Sequence, residues 1–308
     1  MKVIQFNNYG DSSVLHLNEI SLPKLGAKDV MIKISAVSVN PLDIKLRNGE
    51  MKNFMPISFP FIPGLDVAGT VEKVGEKVTK FKKGDKVFAT TFGNTYSEYV
   101  SLEESIISRM PKNLDFVESA AAAIPLTTAY TILLQEGNLK AGQTILVHGA
   151  AGGVGHVLVQ MAKNLGAKVI ATATGEGLEF VKSMGVSEVL DYKFDHRLQN
   201  IDSLDMVIDL VGGETHFQSY NKLKPRGILL STVMPGSEEL ANKFGITTKF
   251  VNAVPDSKKL DFGVKYIENG NIKIKVFRKF SLTDAAVAQD FVGQERILGK
   301  VVLEIIEP

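Results

Sequence analysis

Cysteine is absent from the 308-residue chain. That excludes disulfides, Fe–S clusters, thiolate zinc sites and cysteine nucleophiles. It also removes any redox argument about compartment. An excess of either charge is missing as well. Lys plus Arg number 35 and Asp plus Glu 34, so no bulk charge recruits nucleic acid or an anionic lipid surface. Long hydrophobic runs are missing too. The longest surrounds 120–126, far short of the roughly 20 residues a membrane span needs. Residues 1–10, MKVIQFNNYG, lack the apolar core of a secretory signal. The expectation is a soluble cytoplasmic protein with no membrane and no nucleic-acid partner. Low-complexity tracts and internal repeats are also missing. What is present is an ordinary globular composition, 44% hydrophobic. The length fits about two domains and suffices for a full core without metal or crosslinks.

The two parts differ in texture. Residues 1 to about 118 read as short β-segments: KVIQF from Lys2, VMIKISAVSV from Val30, VAGTVEKV from Val67 and DKVFAT from Asp85. Gly and Pro punctuate them, which predicts an antiparallel barrel or sandwich. From Ser119 an Ala-rich helical segment begins. Apolar strands then alternate with helices: 144–149, 168–174, 188–192, 205–212, 227–233 and 248–254 are the strands, with a helix expected around 214–223. Nearly continuous apolar strands alternating with helices indicate a parallel sheet covered on both faces. After 257 the alternation stops. A helix over 257–268, the strand KVFRKF, a helix near 283–292 and KVVLEI follow. The fold class is therefore α/β: a doubly wound parallel Rossmann sheet, 120–256, inserted in a β-rich domain of 1–119 plus 257–308.

The strongest local signal is the glycine-rich turn in TILVHGAAGGVGHVLVQMAK, 144–163. A strand ends at His148–Gly149 and a helix begins near Val154. The dinucleotide pattern G-x-G-x-x-G reads Ala150-x-Gly152-x-x-Gly155, with Ala in the first place. Gly152 lets the backbone approach a pyrophosphate, and Gly155 lets helix and strand pack closely. The helix N-terminus then offers free N–H groups to phosphates. The alternative is a tight turn without a ligand; the further β/α alternations favour the coenzyme. NAD sites place an acid at the end of the second strand, on the ribose 2′-hydroxyl. Here that strand ends Ala173-Thr174-Gly175. An acid there would repel a 2′-phosphate by a few kcal/mol at an effective dielectric near 20. Its absence favours NADPH. Glu176, two residues on, argues mildly the other way and also reads as an exposed residue opening a helix.

These segments resemble the zinc-independent medium-chain dehydrogenase/reductase family, in its quinone oxidoreductase (zeta-crystallin-like) branch. The resemblance rests on 142–163, on PGLDVAGTVEKVGEKVTKFKKGDKVFA (63–89), on DLVGGETHFQSYNKLKPRGILLSTV (209–233) and on GKVVLEI near the end. It covers essentially the whole chain. It implies that the β-rich part is a GroES-like catalytic domain and that the substrate cleft lies between the domains. It also implies hydride transfer from NADPH to quinones or activated carbon–carbon double bonds, and pairing of two copies through the strand TKFVNAV into a homodimer. Zinc members of the superfamily carry a catalytic Cys near Asn40-Pro41-Leu42-Asp43 and a His–Glu pair where this chain has Gly64-Leu65-Asp66. Both ligand positions are lost. The five histidines, His16, His148, His156, His196 and His216, show no ligand spacing. Alcohol substrates, which need a Lewis acid on the alkoxide, are not expected.

The resemblance also proposes individual residues. Asn40, in SVNPLD, matches the family's nicotinamide-side Asn, bonding a ribose hydroxyl or the substrate oxygen; alone it reads equally as a turn-stabilising Asn before Pro. Thr128-Ala129 matches a Thr-Ala pair beside the coenzyme, against a plain helix-start hydroxyl. Ala151, Gly152, Gly153 and Val154 supply the diphosphate turn. Thr174 and Tyr192 match positions at the 2′-phosphate, where the Lys of some relatives is replaced by Gly177 and Leu178. Arg296 matches an Arg used there by others, against a solvated surface charge. Ser231 and Thr232 end a strand at the carboxyl edge, flanking the nicotinamide. Tyr96 and Tyr99 read as strand aromatics rather than proton donors, so solvent is expected to supply the proton. The run Gly293 to Val301 imitates a P-loop, but five residues separate its glycines and Val replaces Ser/Thr. Two rival functions stay open: a 2-alkenal/enone or enoyl-thioester reductase, and a non-catalytic NADPH-binding crystallin-like protein.

Overall fold

The computed structural model describes residues 1–305; the last three, which the sequence places in the β-rich domain, lie outside the described residues. The described chain forms two compact units. One holds 1–124, 255–268 and 275 onward; the other holds 125–254 and 269–274. In chain order the first unit contains β1 (Lys2–Gln5), β2 (His16–Glu19), β3 (Asp29–Val39), α1 (Pro41–Arg47), β4 (Asp66–Val74), β5 (Lys86–Thr90), β6 (Tyr99–Glu103) and β7 (Ile107–Arg109). Helix α2 (Phe116–Tyr130) carries the chain across the division. The second unit contains β8 (Thr144–His148), α3 (Gly155–Asn164), β9 (Lys168–Ala173), α4 (Glu176–Lys182), β10 (Glu188–Asp191), β11 (Leu204–Asp209), α5 (Glu214–Gln218), β12 (Leu223–Ser231), α6 (Glu238–Phe244) and β13 (Thr247–Phe250). The first unit closes with α7 (Ser257–Glu268), β14 (Val276–Ser281), α8 (Ala285–Gln294) and β15 (Lys300–Glu304).

The first unit is built on a seven-stranded sheet ordered β14-β15-β3-β4-β5-β7, with β6 also paired to β3. All its ladders are antiparallel except β14 with β15. β3 is central because its apolar positions are buried: Val30, Ile32, Ile34, Val37 and Val39 pack with Val67, Val87, Val100, Val301 and Leu303. Burial of such side chains contributes about 1.5–3 kcal/mol each. The register Val301↔Val39 sets Lys300 opposite Asn40. The expected strand aromatic Tyr96 lies in a bend rather than a strand, while Tyr99 opens β6.

The second unit is a six-stranded, wholly parallel sheet ordered β10-β9-β8-β11-β12-β13. This is the Rossmann order, reversing between β8 and β11, where the carboxyl ends open a crevice. Several elements differ from the sequence reading. Residues 269–274 join this unit, not the first, because Gln160 on α3 bonds both backbone groups of Lys273 and Asn164 reaches Asn271 O. The expected helix 214–223 stops at Gln218, and β12 starts at Leu223 and ends at Ser231, earlier than expected. β13 keeps only four residues of its neighbourhood; its last tie is Val251 N–H to Ser231 O, 2.7 Å. Helix α2 begins three residues before Ser119, because Asp115 Oδ1 accepts the N–H of Glu118, 2.8 Å. It runs through Pro125 into a π-helical segment, Thr131–Glu136. That makes 21 continuous helical residues, long and apolar enough to span a membrane by composition, but 72% of the most apolar window is buried in the fold. The interruptions by Thr and Pro hid this length in the sequence.

Candidate functional site

The turn after β8 has the geometry the glycine spacing asks for. Gly149 adopts φ +75°, a conformation open to glycine. A side chain at Gly155 would place its Cβ 2.2 Å from Gly149 O and 2.7 Å from Ala150 Cα. Only glycine lets α3 approach the strand this closely. A Cβ at Gly152 would meet nothing nearer than Gly149 O at 3.4 Å. Its outer face is therefore uncovered by protein. The N–H groups of Ala151, Gly153 and Val154 have no hydrogen-bond partner within the described chain. Three free amides, an uncovered glycine and the positive end of a ten-residue helix form an anion cradle.

His156, which sequence reasoning weighed only as a metal ligand, shapes this cradle. Its backbone N–H and its Nδ1–H both donate to Gly152 O, at 3.1 and 3.0 Å. That carbonyl is drawn inward. In a trans peptide the next N–H points the opposite way, so Gly153 N–H faces outward. The signal was available: a histidine four residues after the second glycine, at helical spacing.

At the base of the turn His148 is 3% exposed. Ser219 Oγ donates to Thr215 O (2.7 Å), so it accepts from His148 Nε2–H at 3.2 Å. Thr172 Oγ1 then donates to Nδ1, 3.1 Å. Burial pulls the His148 pKa down to about 4, so the ring is neutral. This neutral ring joins β8, β9 and the segment after α5.

Asp209, at the end of β11, is fully buried and organises the neighbouring loops. Its Oδ1 accepts the N–H groups of Val211 (2.9 Å) and Gly212 (2.8 Å). Its Oδ2 meets His216 Nδ1 at 2.9 Å and accepts from Ser231 Oγ at 3.3 Å. Ser231 Oγ in turn accepts from Val233 and Met234 N–H. The Ser231 side chain thus shapes its own loop, and the sequence reading missed Asp209 and weighed His216 only as a metal ligand.

Thr174 directly follows β9 and Tyr192 directly follows β10, and the register Asp191↔Ala173 brings them side by side. Tyr192 is 49% exposed. No acid stands at the tip of β9. Thr128 is buried in α2, beside Thr127, whose hydroxyl has no partner.

In the first unit, Asn40 caps α1 and is buried. Its Nδ2 donates to Asp66 Oδ2 (3.1 Å) and Ser38 O (3.2 Å), and its Oδ1 accepts from Lys300 Nζ at 2.5 Å. Asp66 also accepts from the N–H and hydroxyl of Ser38. Asp43 Oδ2 accepts the Asn40 N–H and its Oδ1 the Gly64 N–H, both 2.9 Å. Burial pushes the Asp43 carboxyl up to about 7. Arg296 is exposed and has no ion partner among the described residues. Those residues include no group of three or more His, Cys, Asp or Glu that could hold a metal.

Residues 26–112 match the family profile "Alcohol dehydrogenase GroES-like domain", and 153–260 match "Zinc-binding dehydrogenase". A quinone oxidoreductase of Lama guanicoe is 35% identical over 78% of this chain and 75% of its own. An NADPH-dependent alkenal/one oxidoreductase of Arabidopsis thaliana is 32% identical over 98% of this chain and 79% of its own. The crystal structure of Escherichia coli quinone oxidoreductase complexed with NADPH superposes with TM-score 0.90 at 25% identity, covering 99% of this chain and 100% of the other.

Proposed function

The chain belongs to the quinone oxidoreductase branch of the medium-chain dehydrogenases/reductases, and on that premise we propose that it is an NADPH-dependent oxidoreductase reducing quinones or other electron-poor acceptors. The observation that carries this reading is the turn 149–155, with its three free amides and uncovered Gly152. These residues fit a dinucleotide's diphosphate. NADPH, when bound, supplies a hydride from its nicotinamide ring. Ala151, Gly153 and Val154 would bind the diphosphate, and Thr174 and Tyr192 would face the 2′-phosphate, with Arg296 as a further candidate for it. Thr128 and the Ser231 loop would orient the nicotinamide end.

Asn40 is the residue assigned to the acceptor oxygen. Of its two amide hydrogens, the one on the neutral Ser38 carbonyl at 3.2 Å is the easier to surrender. A developing oxyanion would claim it. The proton that completes reduction comes from solvent.

A second acceptor class is favoured by the alkenal/one relative, which matches 98% of this chain. NADPH oxidation assays run side by side with a quinone, a 2-alkenal and an enoyl thioester decide among them. Tight NADPH binding with no turnover of any acceptor would instead indicate a binding protein of the crystallin kind.

The reading is metal-independent. The chain has no cysteine, and Asp66, where zinc relatives carry a ligand, spends its oxygens on Ser38 and Asn40. A cytoplasmic homodimer completes the proposal. β13 is an edge of the parallel sheet, with its last residue Phe250 51% exposed and Val254, just after it, 61% exposed.

A further inference from the structure

Three neighbouring strands deliver polar side chains to one end of the first unit's sheet. β15 brings Lys300, β3 brings Ser38 and is followed directly by Asn40, and β4 begins with Asp66. All four side chains are at least 95% buried. Lys300 Nζ lies 2.5 Å from Asn40 Oδ1 and 4.0 Å from Asp66 Oδ2. Asn40 Nδ2 lies 3.1 Å from the same Asp66 oxygen. The amide is therefore gripped at both ends, its oxygen by a cation and its nitrogen by an anion.

An asparagine amide has nearly the same shape either way round, so packing alone rarely fixes which end is the donor. Here a flip would set Nδ2 against an ammonium and Oδ1 against a carboxylate. Each contact would be repulsive at hydrogen-bond distance in a dry environment. A cation on Oδ1 also draws electron density away from Nδ2–H and makes it a stronger donor. Asp43 adds a third constraint, holding the Asn40 backbone N–H from α1. The other charged or titratable groups packed around this cluster are Asp43 and Tyr96, with Arg47 beyond Tyr96.

We propose that Lys300 is a positioning residue: paired with Asp66, it fixes and polarises the Asn40 amide so that Nδ2–H is presented as donor to the acceptor oxygen. This rests on the role given to Asn40 above. Nothing local in the sequence links the pair, since 260 residues separate them; strand pairing alone brings them together.

The test compares Lys300→Met, Lys300→Gln, Asn40→Ala and the double variant Asn40→Ala/Lys300→Met in steady-state assays with a quinone. Asn40→Ala should lower kcat by about tenfold or more. Lys300→Met should lower kcat similarly, with KM for NADPH unchanged within about twofold. Lys300→Gln keeps a donor near Oδ1 and should recover part of the loss. The double variant should be no slower than Asn40→Ala alone, because both changes remove one interaction. Wild-type kcat in Lys300→Met, or losses that multiply in the double variant, would overturn the positioning role while leaving Asn40 in place. Wild-type kcat in Asn40→Ala would overturn both. Should Lys300→Met fail to fold, the wild-type enzyme still answers. The clamped Asn40 Nδ2 protons, assigned by their loss in Asn40→Ala, should give two resolved, slowly exchanging NMR signals. An averaged, rapidly exchanging pair would refute the clamp.

Discussion

Gly152 and Gly155 are the same residue type under different demands, and the difference is measurable. A side chain at Gly152 would enter the uncovered outer face and meet only Gly149 O at 3.4 Å, so Gly152→Val should fold with a melting temperature near that of the wild type and lose NADPH binding. A fluorescence titration with unchanged affinity would remove the turn from the site. Gly155→Val must displace Gly149 O and Ala150 Cα, so it should cost stability by about 1–3 kcal/mol, read by denaturant unfolding. Both glycines were visible in the sequence because their spacing is local.

His148 predicts a pH effect of defined sign. Its folded pKa, about 4, lies below the 6.5 of a free histidine. The unfolded chain therefore binds the extra proton. The contribution of His148 is complete above about pH 6.5 and is lost as pH falls toward 4, reaching about 3 kcal/mol. Asp43, raised to about 7, works in the opposite direction: its contribution is present below about pH 4 and fades as pH rises through 7. The two overlap, so the informative quantity is the stability of the wild type minus that of His148→Gln. That difference should shrink from pH 7 to pH 4. A constant difference would mean that His148 keeps the pKa of a free histidine in the fold. Neither group was foreseen as perturbed. Burial is a property of three-dimensional packing, and Asp209, His216 and Lys300 escaped notice for the same reason: their partners are distant in sequence or supplied by backbone.

Among the elements, α3 does more than present its N-terminus. His156 in its first turn holds the Gly152 carbonyl inward. His156→Leu keeps the buried bulk but loses that bond, and should weaken NADPH binding by about tenfold with little change in kcat. Unchanged affinity would show that the turn holds its shape without the ring. The strands of the parallel sheet were readable from their apolar runs. The lengths of β12, β13 and α2 were not. β12 ends where Asp209 and Ser231 bind each other, and α2 extends because Asp115 caps it early. The edge strand carries its own prediction. If the proposed dimer pairs through this edge, Phe250→Lys and Val254→Lys together should lower the mass to that of a monomer in light scattering. A wild-type mass already that of a monomer, or a dimer mass unchanged in the variant, would contradict the edge pairing.

For the protein as a unit, the division into an antiparallel and a parallel half was visible in the change from punctuated strands to strand–helix alternation. The units differ from the expected bounds at 120–124 and 255–256, which belong to the first unit, and at 269–274, whose attachment to the second depends on two α3 side chains, Gln160 and Asn164. No acid occupies the Thr174 position, so NADPH should bind at least about tenfold tighter than NADH; equal affinities would refute that choice without disturbing the turn.

The proposed function depends most on where the coenzyme's diphosphate sits, and a crystal structure of the chain grown with NADPH reads that directly. Phosphate oxygens should lie within hydrogen-bond distance of the Ala151, Gly153 and Val154 amides, with the pyrophosphate against Gly152. A coenzyme bound elsewhere, or a turn that stays empty at saturating NADPH, would contradict it.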